Sequence, residues 1–264
     1  MTGLTAIDAV FATTRAQNRA AFMPFFTIGF PDYDTSIKVI EALVEAGADA
    51  IEIGIPFSDP LADGPTIQHS SQVSLQHGTS VADCIKAVAT LRERGVTVPM
   101  VLMGYLNPVM AYGVQRYVED AAAAGVNGFI VPDLPIEEAD ELIGYCKQHN
   151  LSFTPLLAPN STPERIRLAT SKARGYVYLV SVTGVTGARD VLPPDLADYV
   201  RRVRGLTTLP LALGFGISRP EQAKTVAKML DGVVVASALI RLMETDGLEA
   251  VKALAASLHA ACAH

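Results

Sequence analysis

The stretch Ala46-Gly47-Ala48-Asp49-Ala50-Ile51-Glu52-Ile53-Gly54-Ile55-Pro56 closes one helix and opens one strand. A glycine after a helical pattern suits the left-handed position that terminates a helix. The run behind it is aliphatic and, Glu52 apart, lacks polar alternation, the mark of a parallel strand covered on both faces. The phrase returns in altered form. Ala124-Gly125-Val126-Asn127 leads into another apolar run, and Arg174-Gly175 and Asp231-Gly232 hold the same place before two more. Eight such runs follow in all, at residues 23–28, 50–55, 99–103, 128–131, 152–157, 177–180, 209–213 and 232–235.

Between the runs lie amphipathic segments long enough to cross back over a sheet. Ser80 with Asp83 and Ser218 with Glu221 have capping-box spacing, and Thr162-Pro163-Glu164 sets a cap before a first-turn proline. Strand starts recur every ~25 to 30 residues, a supersecondary period rather than a literal repeat. Eight strand–helix units predict an α/β fold, a single (β/α)8 TIM barrel domain over residues 1–264 with an additional N-terminal helix. Its active site is then expected at the C-terminal ends of the strands. An open doubly wound sheet is the competing architecture. Two connections, 56–78 and 181–192, are long, and long loops in compact domains usually serve function.

Composition narrows the function classes. Half of the 264 residues are hydrophobic and 18% are charged, enough apolar surface for a large core and too much for a disordered chain. A net charge of −6 argues against a nucleic-acid partner, because phosphate backbones select basic surfaces. Cys84, Cys146 and Cys262 are odd in number and far apart, so neither a disulfide framework nor a CxxC pair follows, and a reducing cytoplasm is expected. Arg15 and Arg19 fall where a signal peptide would carry its apolar run, and no membrane span is expected. His69, His77, His149, His259 and His264 show no metal-ligand spacing, and neither a Walker loop nor a GxGxxG after a strand is present.

Glu52 stands among aliphatics in a strand covered on both faces. A buried carboxyl without a partner has its pKa pushed toward neutrality, where it can both take and give a proton. An edge-strand glutamate or a buried ion pair is the alternative. Downstream, three prolines between Pro56 and Pro65 restrict the backbone while Asp63-Gly64 can turn it, which places a second carboxylate over the barrel mouth unless it is an ordinary turn. If Asp63 stays ionised while Glu52 is partly protonated, the pair has split pKa values suited to distinct roles. Gly214-Phe215-Gly216-Ile217-Ser218 and Ala236-Ser237-Ala238 follow the seventh and eighth strands, where barrels commonly bind phosphate through backbone N–H groups. Each alone reads equally as a turn; their joint position favours phosphate. Thr183-Gly184-Val185-Thr186-Gly187-Ala188-Arg189 suits a hinged lid or plain surface slack. Tyr176 and Tyr178 share one face of the sixth strand, and one hydroxyl could reach the site.

Together these segments resemble the tryptophan synthase alpha chain family. The matching phrases are Pro24-Phe25 with Gly29-Phe30-Pro31, the run from Glu52 to Pro60, Ala62-Asp63-Gly64-Pro65, Tyr105-Leu106-Asn107-Pro108, Val131-Pro132-Asp133-Leu134-Pro135, Gly184-Val185-Thr186-Gly187-Ala188 and Gly214-Phe215-Gly216-Ile217. The resemblance spans nearly the whole chain in order, and the acidic-proline phrase is its most specific part. It implies reversible retro-aldol cleavage of indole-3-glycerol phosphate to indole and glyceraldehyde 3-phosphate, without organic cofactor or metal in this chain. It implies Glu52 as the acid–base group at indole C3 and the glycerol hydroxyl, Asp63 at the indole N–H, and Tyr178 near the glutamate. Thr186, Gly187, Phe215, Gly216, Ala236 and Ser237 match the lid and phosphate positions, and Phe25, Met103 and Leu156 the apolar indole pocket.

Ala236 stands where the family usually has glycine, which is compatible with an N–H donor only where the backbone needs no positive φ. Leu106 replaces a common aromatic and Ile136 a common proline. The resemblance further implies a pyridoxal-phosphate beta chain as partner in an alpha2-beta2 assembly, docked through the Pro56–Pro60 loop and the Asn107-Pro108 turn. A free-standing lyase, a sugar-phosphate isomerase on the same barrel and a catalytically silent regulatory subunit are the rival readings. The isomerase does not explain the full acidic-proline phrase, and the presence of both Glu52 and Asp63 speaks against silence.

Overall fold

The computed structural model describes residues 3–180, 194–214 and 216–263. Among them are nine parallel strands: β1 (Ala21–Thr27), β2 (Ile51–Gly54), β3 (Met100–Met103), β4 (Gly128–Ile130), β5 (Ser152–Phe153), β6 (Leu156–Leu157), β7 (Val177–Val180), β8 (Leu211–Gly214) and β9 (Gly232–Val235). They are hydrogen-bonded in the order β5-β4-β3-β2-β1-β9-β8-β7-β6. The two ends of that order are two halves of one strand position. Only Thr154 and Pro155 separate β5 from β6, and β5 pairs with β4 while β6 pairs with β7. Pro155 has no N–H to give a ladder, which breaks the predicted fifth strand in two. The break stays bonded to both neighbours: Thr154 N–H donates to the Phe129 carbonyl and the Pro155 carbonyl accepts from Tyr178 N–H, each at 3.0 Å. The sheet therefore closes on itself through eight strand positions. That is the predicted (β/α)8 barrel, and it excludes the open doubly wound sheet.

The described helices are α1 (Gly3–Ala16), α2 (Tyr33–Glu45), α3 (Pro65–Gln76), α4 (Val81–Glu93), α5 (Leu106–Tyr112), α6 (Val114–Ala124), α7 (Asp140–Gln148), α8 (Pro163–Lys172), α9 (Leu196–Arg204), α10 (Pro220–Ala227), α11 (Ser237–Thr245) and α12 (Leu248–Ala261). α1 is the expected additional N-terminal helix. Its Phe11 ring packs 5.4 Å from the Tyr176 ring, plugging the N-terminal end of the barrel. Among the described residues no helix is long and apolar enough to cross a membrane.

The helix-end phrases from which the fold was read have a common physical job. Asp49, Asn127 and Asp231 each precede a strand and lock it to a neighbouring one. The Asp49 carboxylate accepts from Phe22 N–H at 2.8 Å, the Asn127 side-chain oxygen from Met100 N–H at 2.9 Å, and the Asp231 carboxylate from Leu211 N–H at 2.9 Å. In return their own N–H groups donate to the carbonyls of Phe22, Met100 and Leu211. An arginine neutralises or fills each: Arg19 grips Asp49 through two bonds of 2.6 and 2.7 Å, Arg92 reaches Asn127 at 2.6 Å, and Arg204 pairs with Asp231. Charge-assisted bonds of this kind are the stronger class.

Gly47, Gly125 and Gly175 take the positive φ their phrase predicts, at 103°, 91° and 104°. Gly232 does not. It lies inside β9, where an added Cβ would come within 2.9 Å of the Ala212 Cβ, so its job is to make room in the barrel. The Ser80–Asp83 and Thr162 caps are present as read, with a full capping box at Ser80. The Ser218–Glu221 pairing is not formed. Instead Gln222 caps α10, its side-chain oxygen accepting from Ser218 and Arg219 N–H at 2.9 and 3.1 Å. The stretch read as one long loop after the second strand is half helix, because α3 occupies Pro65–Gln76.

Candidate active site

Glu52 sits in β2 between Phe25 of β1 and Val101 of β3, so it is not on an edge. It is fully buried, and neither carboxyl oxygen closes a hydrogen bond of normal geometry. No basic side chain faces it among the described residues, which removes the buried-ion-pair alternative. Burial pushes its carboxyl from an ordinary 4.5 up to about 8, and the Tyr176 hydroxyl opposes that rise. Strand position six lies opposite position two in an eight-membered ring, so Tyr178 on β7 and Tyr176 just before it stand across the barrel from β2.

Three glycines shape that interior. A Cβ at Gly54 would come within 2.4 Å of the Phe25 ring, so the tip of that ring rests on the β2 backbone. A Cβ at Gly214 would lie 1.7 Å from the Tyr178 hydroxyl, which therefore rests on β8. Gly128 makes the same allowance for Ser152, whose hydroxyl would be 2.3 Å away.

Asp63 arrives from the loop between β2 and α3. The Asp63 and Leu61 N–H groups donate to the carbonyls of Pro60 and Asp59 at 3.0 and 2.9 Å, which winds residues 59–63 tightly. Tyr105, just before α5, holds that loop by its hydroxyl, accepting from Ala62 N–H and donating to the Asp63 carboxylate, both at 3.0 Å. Its ring also stacks 5.3 Å from Phe57. Asp63 is 6% exposed, and burial raises its pKa from 3.8 to about 6 against the pull of the Tyr105 bond. The expected split between the two carboxyls is present, although both are raised. Burial holds the Tyr178 hydroxyl well above its ordinary pKa, and the charges of Glu52, Tyr176 and Asp63 add to that rise.

Of the other residues singled out, Phe25 is buried against Glu52, Met103 ends β3, and half-buried Leu156 pairs with Tyr178 across β6 and β7. At the rim between β8 and β9, Gly216 has φ 92°, a conformation that favours glycine. Ala236 has φ −126°, so an alanine is accommodated where the family usually has glycine. Ser237 opens α11 and is buried, with the helix N-terminus beside it. Thr186, Gly187 and Phe215, and with them the lid reading, lie outside the described residues. Among the described residues no three His, Cys, Asp or Glu side chains converge to hold a metal.

Sequence reasoning left Tyr105 out of the site, though it stands in one of the phrases that carried the resemblance. Its role depends on a contact 42 positions away in the chain, which no local pattern reveals. The Asn107-Pro108 segment, read as a turn, is the first turn of helix α5.

The sequence profile of the tryptophan synthase alpha chain matches residues 11–263. The tryptophan synthase alpha chain of Chloroflexus aggregans is 48% identical over 238 residues, 90% of this chain and 89% of that one. That of Acidiphilium cryptum is 47% identical over 90% of this chain and 86% of the relative. A solved structure of Mycobacterium tuberculosis tryptophan synthase superposes with a TM-score of 0.92 at 39% identity, covering 98% of each chain. The tryptophan synthase subunit alpha of Legionella pneumophila gives 0.91 at 35% identity over 99% of this chain and 98% of that one. The chain, folded as a closed barrel around a buried glutamate, belongs to the tryptophan synthase alpha chain family.

Proposed function

We propose that Glu52 is the acid–base group of the family's lyase reaction, the reversible cleavage of indole-3-glycerol phosphate to indole and glyceraldehyde 3-phosphate. The observation that carries this reading is the carboxyl itself: fully buried, without a cation, and raised to about 8 so that both protonation states are within reach near neutrality. Protonated Glu52 gives its proton to indole C3, and the ring becomes a cation. Asp63, raised only to about 6 and therefore mostly ionised at pH 7, accepts from the indole N–H and stabilises that charge. The bond between C3 and the glycerol carbon then breaks, its electron pair restoring the aromatic ring. The hydroxyl proton returns to Glu52 as the aldehyde forms, so the carboxyl ends the cycle as it began.

Phe25, Met103 and Leu156 supply the apolar walls for the indole, and Tyr178 is assigned to the neighbourhood of the two carboxyls. Gly216, Ala236 and Ser237, with Thr186, Gly187 and Phe215, are assigned to the phosphate end and its lid. An alanine N–H at 236 and the N-terminus of α11 are suitable anion donors. Family membership makes this chain the alpha subunit of a tryptophan synthase whose beta chain carries pyridoxal phosphate; the cleavage in this chain needs no cofactor of its own. For the docking face we propose the Pro56–Pro60 loop with the first turn of α5, one barrel domain meeting its partner beside the site. Leu61, 84% exposed, and Met110, 62% exposed, are the large apolar side chains left open there. We place the chain in the cytoplasm, a reading supported by three buried free thiols.

The test is indole release by purified protein and by Glu52→Gln. Near-complete loss of turnover with retained binding of a phosphate product supports the reading; wild-type turnover in the variant removes Glu52 from the mechanism.

A further inference from the structure

Asp63 stands immediately before the N-cap of α3, and the face that this helix buries is unusual for one docked on a barrel. Its buried residues are Ile67, Ser70, Ser71 and Ser74. Three hydroxyls and one aliphatic side chain remove little apolar surface from water, so hydrogen bonding fixes where the helix sits. The Thr27 and Ser70 hydroxyl oxygens lie 2.8 Å apart, and both residues are buried. Ser70 gives its single hydrogen to the Ile67 carbonyl at 2.9 Å, so Thr27 is the donor of the pair. One turn on, the Ser74 hydroxyl donates to the Ile28 carbonyl at 2.6 Å. Gly29 completes the fit: a Cβ there would come within 2.4 Å of the Ser74 hydroxyl oxygen and 2.2 Å of that of Thr79. The end of β1 and the buried face of α3 therefore meet in one register. From the first turn of the helix, Gln68 reaches back to the loop. Its side-chain amide donates to the Asp63 carbonyl at 2.8 Å and its N–H to the Gly64 carbonyl at 3.0 Å.

We propose that Gln68 and Ser70 are positioning residues for Asp63: Gln68 holds the main-chain carbonyl of the aspartate, and Ser70, bonded to Thr27, seats the following helix on the strand beside Glu52. The inference rests on the reading above, in which Asp63 accepts from the indole N–H, and both residues act through Asp63. Strand β1 is the link between the two carboxyls. Phe25 pairs in register with Glu52 and Thr27 with Gly54, so a helix seated on Thr27 is referenced to the strand that carries the glutamate. Tyr105, from the segment before α5, holds the Asp63 carboxylate at 3.0 Å. Gln68 and Tyr105 thus grip the main chain and the side chain of one residue from two different elements. A misplaced carboxylate forfeits stabilisation only once the indole has become a cation, so the loss falls on turnover and leaves substrate binding nearly as it was.

The experiment measures kcat and KM for indole release, the Kd of glyceraldehyde 3-phosphate and Tm. The variants are Gln68→Met, Ser70→Ala, Thr27→Val, Thr27→Ser, the double variant S70A/T27V and Asp63→Asn. Gln68 is exposed, and methionine keeps its length and helix propensity while removing the donor, so Tm stays within about 2 °C of wild type. In Gln68→Met kcat falls about fivefold, the effect of one net hydrogen bond, while KM and Kd stay within about twofold. Ser70→Ala and Thr27→Val lower kcat to a similar extent. The double variant goes no further than the worse single one, because both remove the same bond, and Thr27→Ser keeps the hydroxyl and with it the wild-type kcat. Wild-type kcat in Gln68→Met overturns the proposal, and so does a KM or Kd that worsens in step with kcat, the mark of general loosening. Should Ser70→Ala fail to fold, Gln68→Met decides the matter alone. Turnover lost in Asp63→Asn but intact in Gln68→Met refutes the positioning role only, whereas full turnover in Asp63→Asn removes the role of Asp63 beneath it.

Discussion

Replacing Glu52 by glutamine is expected to stabilise the protein while it abolishes the reaction. The two side chains match in shape, and the buried neutral acid and the amide carry similar polarity, so the difference between them is the ionisation. In the unfolded chain the carboxyl titrates at its ordinary 4.5, in the barrel at about 8. A folded-state pKa above the unfolded one means stability that is complete below pH 4.5 and is lost as pH rises through 8. At 1.36 kcal/mol per pKa unit the loss is ~1 kcal/mol at pH 5.5 and ~4 kcal/mol at pH 8. Asp63, raised to about 6, contributes a loss of the same sign at lower pH, but it is present in both proteins and cancels. The assay is urea unfolding of wild type and Glu52→Gln at both pH values. A stability gap that widens by ~3 kcal/mol between pH 5.5 and 8 agrees with the reasoning. A gap that stays constant within ~1 kcal/mol refutes the desolvated carboxyl, because only the ionisation makes it pH-dependent.

Tyr105→Phe removes the donor that holds Asp63 ionised, so the inflection near 6 moves upward and turnover at pH 6.5 falls several-fold; an unmoved inflection contradicts the role given to Tyr105. Gly214→Ala sets a methyl 1.7 Å from where the Tyr178 hydroxyl now lies. Overpacking of that kind costs ~1–3 kcal/mol and displaces the tyrosine, so reduced indole release is expected alongside a lower Tm; wild-type values of both count against the placement of Tyr178. Met110→Asp puts a charge on the exposed apolar face beside the site and is expected to weaken beta-chain association at least about tenfold, read by titration calorimetry. An unchanged Kd moves the docking face elsewhere.

Much of the fold was legible because its cues are local. A glycine at a helix end, an Asp or Asn before an apolar run, and a proline after a Thr cap act within a few residues, and Gly47, Gly125, Ser80 and Thr162 behave as their neighbours dictate. Closure of the barrel was less legible. It depends on Pro155 interrupting a strand that reads as continuous, while Thr154 and Pro155 keep bonds on either side. The Ser218 cap failed for a related reason, since Gln222 offers a longer side chain that satisfies two N–H groups together. Within the site, Glu52 announced itself as a lone acid among aliphatics. Tyr105 did not, because a tyrosine before a helix has many ordinary uses. What singles it out is the partner that folding brings from 42 residues away. The alanine at 236 was readable only as a condition, and the negative φ of −126° meets it.

The account stands on a carboxyl at position 52 that exchanges its proton near neutrality, and carbon-13 NMR of protein labelled at the glutamate side-chain carboxyls observes this directly. The resonance absent from Glu52→Gln is expected to titrate near pH 8, well apart from the surface glutamates. A midpoint for that resonance at the ordinary value near 4.5 would contradict the account.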